Sequence, residues 1–250
     1  MEAETADSLR QAINIAYFGL RKCGFRSDPQ QQDIFMRCGK RTILNCSRQT
    51  GKSTTAALKA VHSAYIRPNS TVIVTSPTKQ QTREFMRKVR NFAFLCGITL
   101  RGDKFSVYLK NGARIVGIAA NEDTVRGFSA VSLLIIDEAA RVKDEVYYAL
   151  LPMLAVANGS IWLLSTPKGK RGFFHTEWDS PENEKWVKIR TKAQDCPRIS
   201  ATFLDSQKRR MGERRFAQEF ECTFIDIAHG VFHPDAVRRA FKDEIKPLDY

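Results

Sequence analysis

The sequence predicts an α/β fold: a mainly parallel central sheet flanked by helices, with an antiparallel hairpin added. Three observations carry this. Segments 71–75, 132–136 and 160–164 are continuous apolar runs, as expected of strands covered on both faces. Stretches with apolar residues at helical spacing lie between the strand runs, and that alternation implies parallel βαβ units. An Asn111-Gly112 turn follows the alternating residues Phe105, Val107 and Leu109, a strong hairpin signal.

The elements follow in order. Residues 7–22 predict one amphipathic helix with Leu9, Ile13, Ala16, Tyr17 and Leu20 on one face. Asp28 can cap the next helix, and Pro29 suits its first turn. "RTILNC" reads as a strand. "KSTTAALKAVHSAYI" reads as a helix with Ala57, Leu58, Val61, Ala64 and Tyr65 at helical spacing. "STVIVTSP" is a second buried strand and "TKQQTREFMRKVRNFAFLC" a second helix. After the hairpin, "VSLLIIDEAA" is an apolar run ending in two acids, and "DEVYYALLPMLAV" a helix interrupted near Pro152. "GSIWLLSTP" and "KWVKIRTKA" are further strands, and residues 200–221 a charged helical stretch. There is no internal repeat or low-complexity linker. The predicted organisation is a helical segment 1–27, a core unit 28–226 and a weakly patterned tail or linker 227–250.

The chain has 250 residues, 43% of them hydrophobic, enough for a substantial core without disulfides. Forty Lys and Arg against 27 Asp and Glu give a net charge of +13, which favours a polyanionic partner, most simply nucleic acid. The six cysteines form no CxxC pair, which argues against a zinc finger and for reduced thiols in a cytoplasmic protein. His229 and His233 lack a surrounding ligand pattern and read as ordinary polar residues. The acidic, polar start is no signal peptide, and no apolar run approaches the ~20 residues that cross a bilayer. A soluble, intracellular chain with no membrane partner is expected.

Three strand ends carry the chemistry. In "NCSRQTGKST" a strand, a turn and a helix start place a nest of N–H groups at the positive end of a helix dipole. Lys52 is placed to reach terminal phosphates and the Ser53 hydroxyl to ligate Mg²⁺. The usual pattern has a glycine where this sequence has Cys46. In "LLIIDEAA", Asp137 follows four apolar residues and so lies at the carboxyl edge of the sheet, where ligands bind. Asp137 can hold the metal opposite Ser53, and Glu138 can polarise an attacking water. A helix start, whose dipole favours acids in its first turn, would account for one of these acids but not for the GKS loop upstream. In "LLSTPKG", Ser165 and Thr166 end a strand beside the expected γ-phosphate.

The set "SRQTGKST", "LLIIDEAA" and "LLSTPKG" resembles the ATPase domain of the large terminase subunit of tailed bacteriophages, a DNA-packaging motor. The resemblance spans about residues 28–226 and makes the missing glycine a family variant. It implies a P-loop NTPase of the RecA/ASCE-like type that uses ATP and Mg²⁺. The nucleotide would be bound by Gln31, Ser47, Arg48, Gln49, Thr50, Gly51, Lys52, Ser53, Thr54, Ser165 and Thr166, and the metal by Ser53 and Asp137. Glu138, Lys52, Arg48 and Arg126 are the implied catalytic residues. Arg126 matches a finger acting on a neighbouring subunit. Gln31, flanked by Gln30 and Gln32, matches the adenine-contacting glutamine. The alternatives are solvated loop cations for Arg48 and Arg126 and an exposed helix residue for Gln31. The family usually carries a second, nuclease domain. Only 24 residues follow Asp226, so no nuclease activity is expected of this chain.

The function implied is an ATP-driven translocase of double-stranded DNA, working as a homo-oligomeric ring on a portal in the host cytoplasm, with a small terminase subunit as a further partner. Candidate DNA grips are Arg87-Lys88-Arg90, Lys168-Lys170-Arg171 and Lys208-Arg209-Arg210. The elements "DEAA" and "STP" also fit a helicase-like ATPase, but 250 residues are too few for its two RecA-like domains. A nucleotide- or DNA-binding module without hydrolysis is the third reading. The joint presence of Lys52, Asp137 and Glu138 argues against it.

Overall fold

The computed structural model describes residues 2–98, 101–121, 127–180 and 185–226. Seven strands are described: β1 (Arg41–Cys46), β2 (Thr71–Ser76), β3 (Ser106–Tyr108), β4 (Arg114–Ala119), β5 (Val131–Asp137), β6 (Ser160–Ser165) and β7 (Val187–Thr191). They form one sheet in the order β3-β4-β2-β5-β6-β1-β7. All neighbours run parallel except β3 and β4, where Val107 faces Ile115 in an antiparallel pair. The hairpin closes through Leu109 N–H on Ala113 O at 2.8 Å. Gly112 supplies the left-handed residue of that turn, with φ of 80°.

The helices are α1 (Glu2–Ile13), α2 (Ile15–Cys23), α3 (Pro29–Arg37), α4 (Lys52–Ile66), α5 (Lys79–Leu95), α6 (Asp144–Leu150), α7 (Gly172–Asp179), α8 (Ala201–Met211) and α9 (Glu213–Phe220). Successive strand residues point to opposite faces, and the two cores sort accordingly. Leu44, Val74, Ile135 and Leu164 pack with Phe18, Leu58 and Phe85 of α2, α4 and α5. Ile43, Ile73, Ile136 and Leu163 pack with Tyr147 and Leu150 of α6 and Phe173 of α7. Tyr147 and Phe173 stack with ring centroids 4.0 Å apart. The predicted apolar strands are thus covered on both faces, each large apolar side chain contributing about 1.5–3 kcal/mol on burial. Helix α4 is buried at ten of its fifteen positions, and four of those are alanines that let it lie close to the sheet.

Three features differ from the expected elements. The segment 7–22 is two helices. Asn14 ends the first and caps the second, its side chain accepting the Tyr17 N–H at 2.9 Å. The break moves the packed face to Ile15, Phe18 and Cys23, leaving Leu9, Ile13 and Leu20 exposed. Residues 200–221 also divide, at Gly212, whose φ of 77° and ψ of 162° no helix accepts. Helix α7 has no counterpart in the expected elements. Its Phe173 and Phe174 are buried because the β6 face needs cover.

Parallel order sets up the site. Strands β5, β6 and β1 are neighbours, so the residues after Asp137, Ser165 and Cys46 emerge side by side at one edge.

Candidate active site

The loop between β1 and α4 is built around open N–H groups. Gly51 caps α4 without a side chain, so first-turn N–H groups remain open to an anion. Gln49 and Gly51 both take positive φ, 63° and 82°. A Cβ on Gly51 would lie 2.8 Å from Gln31 Nε2 and 3.1 Å from an Arg198 guanidinium nitrogen. Thr50 closes the loop, its hydroxyl donating to Ser47 O at 3.0 Å. Cys46 is fully buried in the core beneath the loop. Burial pushes its thiol up to about 11, so it stays protonated and inert. A side chain is therefore tolerated at this position because it points away from the cradle.

The acids converge on that loop. Ser53 Oγ donates to Asp137, 3.1 and 3.3 Å from its two oxygens. Burial pushes the Asp137 carboxyl up to about 6 and the charge of Glu138 adds to this, while Lys52 and the Ser53 hydroxyl pull it back. A carboxylate and a hydroxyl so placed are hard oxygen ligands suited to Mg²⁺. Glu138 has a left-handed backbone, φ 54° and ψ 41°, and starts the 3₁₀ turn Ala139–Arg141. That strained residue aims its carboxylate at Lys52 Nζ, 3.3 Å away, and at Arg141, 2.7 Å away. Lys52 also donates to the Thr166 hydroxyl at 3.3 Å. Together Arg48, Gln49, Lys52, Gln81, Glu138, Arg141 and Thr166 line a cleft of 290 Å³. A larger groove of 620 Å³ also carries acids and cations, Glu4, Asp7, Arg21 and Lys22, but it is lined by α1, α2 and the end of α4 and by no strand end.

Two further contacts frame the loop. Arg198 pairs with Asp28 at the start of α3 and donates to Thr50 O at 2.9 Å. Gln31 is 4% exposed, and its Oε1 accepts the Asp28 N–H at 3.1 Å, which excludes an exposed helix residue. On the other side Arg48 pairs with Glu219 of α9. The same region bonds the loop after β6, through Gly169 N–H on Gln218 Oε1 at 3.1 Å. It also reaches β1, through Asn45 Nδ2 on Cys222 O at 2.9 Å.

Comparison with known proteins adds the family and the fold to which this chain is similar. Residues 43–239 match the family model "Terminase large subunit, T4likevirus-type, N-terminal", more than half of the chain. This chain belongs to that terminase family. The terminase large subunit of Thermus virus P23-45 is 28% identical over 174 residues, covering 60% of this chain and 36% of that protein. The chain thus matches about a third of that relative's length. Among solved structures, the ATPase domain of the Thermus phage P74-26 large terminase superposes with a TM-score of 0.74 at 20% identity, covering 85% of this chain and 99% of that one. The large terminase of a thermophilic bacteriophage in complex with ATP-gamma-S superposes with a TM-score of 0.65 at 12% identity, covering 88% of this chain and 52% of that one. At those identities the likeness establishes the fold alone, a mainly parallel sheet flanked by helices.

For this terminase chain the structure brings together Gln31, Arg48, Gln49, Gly51, Lys52, Ser53, Asp137, Glu138 and Thr166. Ser47 is fully buried and donates its N–H to Thr191 O, and Thr54 lies in the first turn of α4. Ser165 is also buried, its hydroxyl spent on Thr166 O at 2.8 Å, so Thr166 alone of the pair reaches Lys52. Arg126 lies outside the described residues, as do His229 and His233. The Arg87-Lys88-Arg90 cluster is not one exposed patch. Lys88 is half-buried, its ammonium lowered by that burial and raised by the field of Asp137. Arg90 donates to Asp103 O and Ser106 O, at 2.7 and 3.2 Å. Lys168, Lys170 and Arg171 are exposed, with Lys170 paired to Asp226 at 3.0 Å, as are Lys208, Arg209 and Arg210. Sequence reasoning missed Arg141, Arg198, Gln218 and Glu219. Only Arg141 had a local signal, its position three residues after Glu138.

Among the described residues no helix is long and apolar enough to cross a membrane, and no cluster of His, Cys, Asp or Glu forms a metal site of three ligands.

Proposed function

We propose that this chain is the ATP-hydrolysing motor domain of a phage terminase large subunit, driving double-stranded DNA into a procapsid. The observation that carries this reading is the meeting of Lys52, Ser53, Asp137, Glu138 and Thr166 at three adjacent strand ends. Residues 28–226 are read as the ATPase unit, with 1–27 as a helical addition and 227–250 as a tail or linker. In this reading the first-turn N–H groups of α4 and Lys52 bind the phosphates, and Gln31 contacts the adenine. Ser47, Gln49, Thr50, Gly51 and Thr54 shape the cradle. Ser53 and Asp137 hold Mg²⁺, which when bound supplies neutralising charge at the phosphates. Glu138 accepts the proton of the attacking water. Arg48, and Arg126 from a neighbouring subunit, balance charge on the transferred phosphoryl group.

The coupling route follows from the contacts of α9. The loop after β6, the P-loop arginine and β1 each bond to residues 218–222 or 225, so a change at Thr166 or Arg48 is felt there first. The assembly proposed is a homo-oligomeric ring on a portal, acting on DNA in the host cytoplasm with a small terminase subunit. The exposed Lys168-Lys170-Arg171 and Lys208-Arg209-Arg210 clusters are the remaining DNA grips, making binding salt-dependent and nearly blind to sequence. Calorimetry of Mg–ATP-γ-S tests the site: the parent should bind and Lys52→Ala should not. Equal binding by the two would remove Lys52 from the phosphate site and the reading with it.

A further inference from the structure

We propose that Arg141 is the positioning residue of the hydrolytic step, an assignment that rests on the ATPase reading above. Glu138 is held by two cations in different ways. Lys52 lies 3.3 Å from Oε1 and shares itself with Thr166 at the same distance. Arg141 lies 2.7 Å from Oε2, a closer charge-assisted hydrogen bond. The Arg141–Glu138 pair is fixed at its backbone as well, since the Arg141 N–H donates to Glu138 O at 2.9 Å within the 3₁₀ turn. Arg141 lines the same cleft as Arg48, Lys52 and Thr166, with its side chain 26% exposed.

The consequence is a division of labour between the two carboxylate oxygens. Phosphates recruit Lys52 and release Oε1. Arg141 keeps Oε2, so the carboxylate cannot swing after the lysine. Oε1 is left facing the cleft to take a proton from water as the water oxygen bonds the terminal phosphorus. The bond to the ADP oxygen breaks in the same displacement, and phosphate and ADP leave. Without Arg141 the strained left-handed residue has only Lys52 to follow, and the base is lost to an ion pair that opposes catalysis.

The test compares Mg–ADP with Mg–ADP plus aluminium fluoride, a mimic of the transferred phosphoryl group, by calorimetry on the full chain. Arg141→Ala should bind Mg–ADP within about two-fold of the parent but lose at least about ten-fold of the extra affinity that aluminium fluoride confers, as Glu138→Gln does. Arg141→Lys, which keeps the charge and guards against a folding defect, should retain an intermediate share. Millimolar guanidinium should restore part of the loss in Arg141→Ala and none in Glu138→Gln. Adding Arg141→Ala to Glu138→Gln should cost little more, because the two act as one unit. Arg141→Ala with the full fluoride gain, or with additive losses, overturns the assignment. So does a Mg–ADP affinity that falls in step with the fluoride gain, as Lys52→Ala should show. Absence of Mg–ADP binding by the parent would instead overturn the nucleotide site itself.

Discussion

Lowering the pH from 7.5 to 5.0 should cost the folded chain about 2 kcal/mol through His62 alone. His62 sits on α4 at 3% exposure, where α1 and α2 cover it. Its Nε2 lies 3.0 Å from Gln11 O, and its ring meets Phe18 edge-on with centroids 5.1 Å apart. Nδ1 is buried without a partner among the described residues, so the ring is neutral with its proton on Nε2. Burial brings its pKa down to about 4, and the charges of Lys59 and Arg67 act in the same direction. The unfolded chain titrates near the ordinary value of about 6.5. Between these two values the unfolded state binds more protons, so stability falls as pH falls. His62's contribution is complete above about 6.5 and gone below about 4, a total near 3 kcal/mol at about 1.4 kcal/mol per unit. Urea denaturation of the parent and of His62→Asn at the two pH values isolates the effect. The parent should lose about 2 kcal/mol more than the variant, or roughly 4–8 °C in melting temperature. Equal losses would refute the reasoning, because they would mean that the His62 ring gains its proton freely in the folded chain.

Two other outcomes concern the site. Gly51→Ala forces a side chain onto a residue with φ of 82° and 2.8 Å from Gln31 Nε2, so fluorescent ADP should bind at least about ten-fold more weakly, and a strain of about 1–2 kcal/mol should lower the melting temperature by roughly 2–8 °C. The Asp137 carboxyl, pushed up to about 6, loses its charge below that pH. The Mg²⁺-dependent part of ADP affinity, measured against chelated controls, should fall about ten-fold per pH unit there, and Asp137→Asn should show no such metal-dependent part at any pH.

Much of the fold and the strand-end part of the site were legible for the same reason: the informative residues are close in sequence. The apolar runs of β2, β5 and β6 could be read because both faces of those strands are buried. Lys52 with Ser53, and Asp137 with Glu138, could be read because each pair sits at a strand end that its own run defines. What escaped depends on distant contacts. Arg198 reaches Thr50, and Glu219 reaches Arg48, across 148 and 171 residues. No local pattern marks either. Leu9 and Ile13 misled because helical spacing reports that a face is apolar, not that anything covers it. The capping geometry of Asn14, visible as a residue type, decided which face turned inward. Helix α7 was missed because a short amphipathic turn with two adjacent phenylalanines has too few periods to stand out.

The most direct measurement is steady-state ATP hydrolysis by the parent, Lys52→Ala and Glu138→Gln, each with and without duplex DNA. The account predicts turnover by the parent that DNA increases, and a loss of about 100-fold or more in both variants. A Glu138→Gln chain that turns over ATP as fast as the parent would contradict it.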